Sequence, residues 1–354
     1  MKKKNFLSIS IILTFLLSSL NIYSYELGFA KDTISPTNSI KKQLPITAFW
    51  FNGGWDHYDP ASMKYLDEVI IFAVAPNPET GDLFKFDTNK STGVITYKRN
   101  SGAGLTTTMI HTLVKDAEKN NVKVTLGINA MGKKNKIFNE LVRNEKHEIF
   151  ADSILSFCLK HHIDAVDVDY EHPGSDEDVV FLGKIFIALS NKLKPHGIHI
   201  SGAFGIQREH TRKFLKQYHH LLDQVNVMCY TKPVNWFKKE LTLLHTELGI
   251  PKHKIYGGIA FYARDKKNKV SIDYRDLVKI ISVTNSEDRF TLQNPENPNQ
   301  TLNLIYNNSE QSLTKKVDFL RNNDFGGIMI WALNHDVSTS DPNSRIKFLR
   351  SITQ

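Results

Sequence analysis

The stretch Ile163-Asp164-Ala165-Val166-Asp167-Val168-Asp169-Tyr170-Glu171 alternates acidic and apolar residues. Side chains of a β-strand point to opposite faces in turn, so Asp167, Asp169 and Glu171 share one face while Val166, Val168 and Tyr170 share the other. Successive acids are separated by roughly 6 to 7 Å. The apolar face suits packing against helices, which turns the three carboxylates inward. Adjacent buried acids are costly and their pKa values are driven apart, so the pattern points to chemistry rather than to stability.

Seven further β-rich runs flank this one: Ile46-Phe51, Glu68-Ala75, Val122-Ile128, Ile198-Phe204, Val225-Tyr230, Ile255-Phe261 and Gly327-Ala332. Several, such as Val69 to Val74, are apolar throughout, as expected of parallel strands covered on both faces. Between them lie stretches of helical period. Ser175 followed by Asp178 reads as a capping box, opening a helix through Phe181, Ile185 and Leu189 that Pro195-His196-Gly197 stops. Phe150, Ile154, Phe157 and Cys158 form an apolar stripe on the preceding helix, so Cys158 is expected in the core. Strand and helix repeated eight times predict an α/β fold, a (β/α)8 TIM barrel, rather than an open doubly wound sheet. Glu171, last in its strand, then sits nearest the C-terminal rim where barrel active sites form, with Asp169 one step deeper and Asp167 deeper still. About sixty residues separate Tyr262 from Gly327. This interval is expected to hold a small insertion, residues 263–308, on the catalytic face, with a helix at Tyr274 to Ile281 and a polar stretch at Asn294 to Asn299.

The composition is that of a globular protein, with 41% hydrophobic and 23% charged residues among 354. Lys2, Lys3 and Lys4, followed by the apolar run Phe6 to Leu17, read as a removed export signal over residues 1–30, with residues 31–44 as a linker and 45–354 as the barrel. A secreted protein without stable membrane insertion is expected. The formal charge of +8 falls by three Lys and rises by one Glu on removal of residues 1–30, which leaves +6. These charges are scattered among acids, which argues against nucleic-acid binding. Two cysteines, Cys158 and Cys229, are too few for a disulfide framework. No His-Glu-x-x-His pattern or cysteine pairing marks a metal site, no cofactor is implied, and a monomer is expected.

Asp164-x-x-Asp167-x-Asp169-x-Glu171 resembles the signature of glycoside hydrolase family 18, the chitinases and related endo-β-N-acetylglucosaminidases. Val225-Asn226-Val227-Met228-Cys229-Tyr230 is similar to the family's sixth strand, Gly258-Ile259-Ala260-Phe261-Tyr262-Ala263-Arg264 to its seventh, and Gly326-Gly327-Ile328-Met329-Ile330-Trp331 to its eighth. The resemblance implies a retaining mechanism in which the substrate's own N-acetyl group is the nucleophile. Glu171 would be the general acid, Asp169 would hold the acetamido N–H, Asp167 would share a proton with Asp169, and Tyr230 would hydrogen-bond the acetamido oxygen. Trp331 would floor the sugar site. Met228, on the same parity as Tyr230, would line it, with Tyr262 and Arg264 as candidates for its wall. Cys229 would face the helices, and Asp164 carries the motif structurally.

The resemblance has departures. Ala165 stands where Gly is usual, and Gly127-Ile128-Asn129-Ala130 replaces Ser-x-Gly-Gly on the third strand, which bears on backbone packing beside the site. Thr231 replaces the Asp that commonly follows the sixth-strand Tyr, which bears on substrate preference. Chitin or N-acetylglucosamine oligosaccharides are the expected ligands. An endo-β-N-acetylglucosaminidase acting on N-glycan cores and a non-catalytic chitin-binding lectin are the alternatives. The aromatic first strand, Phe49-Trp50-Phe51, favours a cleft for a linear chain.

Overall fold

A computed structural model describes residues 43–97, 104–129, 136–170, 172–281 and 287–354. The expected export signal and Glu171 lie outside these described residues. Leu44, expected to end the linker, is instead buried in the core, where its N–H donates to the Thr353 carbonyl.

The described residues open with β1 (Ile46–Phe51), two short 3₁₀ turns (Asn52–His57 and Pro60–Tyr65) and β2 (Glu68–Val74). A small antiparallel sheet of β3 (Lys85–Thr88), β4 (Ile95–Tyr97) and β5 (Leu105–Thr106) precedes helix α1 (Thr107–Glu118). Then come β6 (Lys123–Asn129), α2 (Lys136–Arg143), α3 (His147–His161), β7 (Ala165–Asp169), α4 (Asp176–Leu193), β8 (His199–Phe204), α5 (Glu209–Tyr218) and β9 (Gln224–Val227). The last part runs α6 (Val234–Thr246), β10 (Ile255–Ala260), β11 (Tyr262–Asp265), β12 (Val270–Asp273), α7 (Tyr274–Ile280), β13 (Arg289–Asn294), β14 (Asn297–Ile305), α8 (Glu310–Asn322), β15 (Gly327–Trp331) and α9 (Arg345–Thr353).

Eight strands close a parallel barrel in the order β1-β15-β10-β9-β8-β7-β6-β2, and all eight fall on the runs read from the sequence. Between β1 and β2 the crossover is the pair of 3₁₀ turns rather than an α-helix, the second capped by Asp59, whose carboxylate accepts the Ala61 N–H at 3.0 Å. The segment after β10 carries β11 to β14 as a four-stranded antiparallel sheet, order β12-β11-β14-β13. The polar stretch Asn294 to Asn299 includes the turn of its longest hairpin. This sheet and the one formed by β3 to β5 lack apolar runs, because most of their residues are exposed or only half-buried.

Strand parity divides the core. Ile46, Ala48 and Trp50 of β1 and Val166 and Val168 of β7 pack outward among the helices, whereas Phe49, Phe72 and Met329 fill the barrel interior. Trp50 therefore does not face the barrel interior: it packs against Trp55 and Tyr58 on the outside of the barrel, a correction that the alternation of β1 explains. The Ser175 cap forms as read, its hydroxyl accepting the Asp178 N–H at 3.1 Å. Asp178 does not reach back to Ser175 as a full box would; its carboxylate accepts from the Gly174 N–H and from Asn139, both at 2.7 Å.

At the N-terminal end of the barrel one device recurs. Asp67, Asp164 and Asp223 stand just before β2, β7 and β9, and each accepts the N–H of a residue on the neighbouring strand: Ile46 at 2.7 Å, Val124 at 2.8 Å and Ile200 at 2.9 Å. The three share a local pattern, Leu66-Asp67-Glu68-Val69, Ile163-Asp164-Ala165-Val166 and Leu222-Asp223-Gln224-Val225. Asp164 is thus a stitch between strands at the end of the barrel opposite the C-terminal rim.

Candidate active site

The alternation of β7 places Asp167 and Asp169 inside the barrel. Asp167 is fully buried. Its Oδ2 accepts from the Ser201 hydroxyl of β8 at 2.6 Å and from the Asn226 amide of β9 at 2.8 Å. Its Oδ1 has no hydrogen-bond partner among the described residues. Burial pushes its carboxyl up to about 7, against the opposing effect of those two donors, and the charge of Glu68 adds a smaller push in the same direction.

The two donors belong to a polar network that fills the lower barrel. Gln224 donates to Asn226 at 2.9 Å and to Thr47 at 3.3 Å, and Thr47 donates to Glu68 at 2.8 Å. Thr125 also donates to Glu68, and the Lys123 ammonium stands 3.7 Å from it. Asn226, Met228 and Tyr230 share parity, so Asn226 was open to the argument that found Met228. Ser201 carried no comparable mark, since it becomes visible only once β8 lies beside β7.

Asp169, 5% exposed, lies one strand step nearer the rim and borders a cavity of about 530 Å³. The Asn129 amide at the end of β6 donates to its Oδ2 at 2.9 Å. Asn129 occupies the departure from Ser-x-Gly-Gly, and here it grips an acid of the signature. Close packing survives at Gly127, where an added Cβ would stand 2.9 Å from the Phe72 ring and 3.1 Å from the Ile71 carbonyl oxygen. Ala130 lies outside the described residues.

The same cavity is bordered by Phe49, Met228, Tyr230, Tyr262, Arg264 and Trp331, so every substrate-contact residue read from the sequence meets Asp169 there. Trp331 is braced by Phe49 at 5.4 Å, Phe72 at 5.2 Å and Phe51 at 6.2 Å between ring centres. Tyr230 donates to the Met329 sulfur at 3.5 Å, and its ring lies 6.4 Å from that of Tyr262. Burial pushes the Tyr262 phenol up to about 12, which keeps it a donor. Cys229 points the other way as expected, its thiol donating to Glu240 at 3.0 Å, and burial holds it well above its ordinary value.

Residues beyond the sequence reading also border the cavity. His172 and His335 contribute imidazoles, and burial lowers the His335 pKa although Asp273 stands 3.5 Å away. Lys232, Lys266 and Asp273 lie at its edge. Thr231, at a φ of 51°, borders the cavity too, and its carbonyl accepts from Asn307 at 2.7 Å. Lys266 opens the turn between β11 and β12 and Asp273 ends β12 opposite Tyr262, both in the segment whose strands the sequence concealed. Among the described residues no cluster of three His, Cys, Asp or Glu side chains is placed to hold a metal.

Comparison with known proteins joins this geometry to a lineage. A probable chitinase from Drosophila melanogaster is 22% identical over 61% of this chain, which spans 56% of that protein's length. A class V chitinase from Medicago truncatula is 22% identical, covering 82% of this chain and 85% of the relative. The crystal structure of a chitinase from Bacteroides thetaiotaomicron superposes with a TM-score of 0.68 at 19% identity, covering 88% of this chain and 97% of that one, and so shares the fold. The model of glycosyl hydrolases family 18 matches residues 48–336, from β1 to the turn after β15, and the chain belongs to that family.

Proposed function

We propose that the protein is an exported, monomeric glycosidase that cleaves the β-1,4 linkages of N-acetylglucosamine polymers, chitin among them, with retention of configuration. The observation that supports this most directly is the meeting of Asp169, Tyr230, Met228 and Trp331 at one cavity, with the buried Asp167 a strand step below.

In this reading Glu171 protonates the scissile oxygen while the substrate's acetamido carbonyl attacks the anomeric carbon and forms an oxazolinium ion. Asp169, held by Asn129, accepts the acetamido N–H and offsets the developing positive charge. Asp167 keeps its proton below about pH 7, so the inner strand adds no second full negative charge beside Asp169. The Tyr230 hydroxyl donates to the acetamido oxygen and fixes its line of attack. Trp331, immobilised by three phenylalanines, supports the apolar face of the sugar. Glu171, now a carboxylate, activates the water that opens the ring.

The test is product analysis on defined N-acetylglucosamine oligomers with wild type and Glu171→Gln. Wild type should release shorter oligomers of retained anomeric configuration, and the variant should lose about 10²- to 10⁴-fold in kcat while still binding oligomers. Release of glycan from a high-mannose glycopeptide with none from chitin oligomers would replace this reading with the endo-β-N-acetylglucosaminidase. Tight binding without turnover between about pH 4 and 8 would replace it with the lectin.

A further inference from the structure

The edge of the cavity carries more positive charge than a neutral sugar polymer calls for. Lys232, Arg264 and Lys266 all border it, and among the described residues none of the three belongs to an ion pair with a carboxylate. The two acids closest by are engaged elsewhere: Asp265, between Arg264 and Lys266 in the chain, is buried and accepts from the Asn268 N–H at 2.9 Å and the Asn303 N–H at 2.7 Å, and Asp273 faces Arg275 at 2.7 Å and His335 at 3.5 Å. Two features make the group more than a scatter of surface lysines. The Lys232 ammonium sits 3.6 Å from the centre of the Trp236 ring, a cation–π contact that restricts its freedom. Tyr262 and Arg264 alternate along β11, so Arg264 leaves the backbone roughly 6.8 Å beyond Tyr262 on the same side, and Lys266 follows at the start of the turn.

Exposed cations at a flat surface contribute little, but a cleft with low-dielectric walls concentrates their field. An arginine fork beside two ammonium groups is suited to an anionic oxygen cluster, a carboxylate, sulfate or phosphate. Unmodified chitin offers none, and a chain bearing free amines would be repelled.

We propose that the preferred substrate is an N-acetylglucosamine-containing glycan that carries an anionic substituent on a sugar near the cleaved linkage, bound by Lys232, Arg264 and Lys266. This rests on the hydrolase reading above and refines its substrate class.

The experiment compares kcat/KM for three tetrasaccharides at low ionic strength and in about 0.5 M salt, where the screening length falls to a few ångströms. The three are neutral N-acetylglucosamine tetramer, a 6-O-sulfated form, and one whose alternate sugars bear 3-O-lactyl carboxylates. An anionic chain should exceed the neutral one by about tenfold at low salt, roughly 1.4 kcal/mol, and lose that lead at high salt. Whichever anionic chain leads identifies the substituent. The double variant Lys232→Gln/Lys266→Gln should bring the anionic-to-neutral ratio close to one while its thermal unfolding matches wild type. A neutral tetramer cleaved as well as or better than both anionic chains at every ionic strength would overturn the proposal. Turnover of none of the three would sink the hydrolase reading instead; equilibrium binding then decides, tighter capture of an anionic chain supporting the proposal and equal affinity for all overturning it.

Discussion

The protonation of Asp167 and the grip of Asn129 on Asp169 set how β7 behaves. The folded pKa of Asp167, about 7 against an ordinary 3.8, means that the native state holds a proton across that interval which the unfolded chain has released. Wild-type stability should therefore fall as pH rises from about 4 to 7, since over that window the folded state binds more protons than the unfolded one. Asp167→Asn removes the titration and keeps the shape. Urea unfolding midpoints of both proteins at several pH values should show the difference moving in the variant's favour toward neutral pH, and a constant difference would contradict the protonated Asp167. Asn129 acts on the outer acid. Asn129→Gly deletes a charge-assisted hydrogen bond worth about 1.5 kcal/mol, so kcat should fall about tenfold with KM nearly unchanged. A loss confined to KM would instead make Asn129 a plain substrate contact.

At the level of strands and helices, the barrel is held at its N-terminal end by the repeated aspartate stitch. Each of Asp67, Asp164 and Asp223 joins its strand to the one before it through a side chain, beside the bond that its own N–H gives to the same residue's carbonyl. Asp164→Ala and Asp223→Ala should each cost about 1 to 2 kcal/mol, read as a lower urea midpoint with an unchanged slope. Both sites are at the far end from the cavity, so kcat of the folded variants should stay within twofold of wild type. The Leu/Ile-Asp-x-Val pattern that carries the stitch recurs three times in the chain and was open to inspection. Its meaning was not, because a carboxylate that accepts a neighbouring strand's N–H looks in sequence like any acid preceding a strand. The opposite holds for β3 to β5 and β11 to β14, whose half-solvated faces erase the apolar runs by which the eight barrel strands announce themselves.

Across the whole molecule, apolar burial leaves both thiols inert. Cys158 sits in the helix layer, where burial pushes its pKa up to about 12, and Cys229 points its thiol at the buried Glu240. A thiol reagent at neutral pH should label neither cysteine in the native protein and both in denaturant, and rapid native labelling would contradict their placement. No described helix is long and apolar enough to cross a membrane. The extra structure on the barrel is unevenly spread: one small sheet follows β2, a larger one follows β10, and the second brings Arg264 and Lys266 to the cavity.

The eight strands, their order and the inward face of Asp167 and Asp169 were determined by the sequence alone, because period-two alternation is a local property that each segment carries without reference to the others. The partners of those acids were decided only by the tertiary structure. Ser201 and Asn226 come from the two strands that follow β7 around the barrel, and Asn129 comes from the strand before it. Which side chains stand level across a barrel depends on closure and on the stagger between strands, and neither is written in the spacing of any one segment.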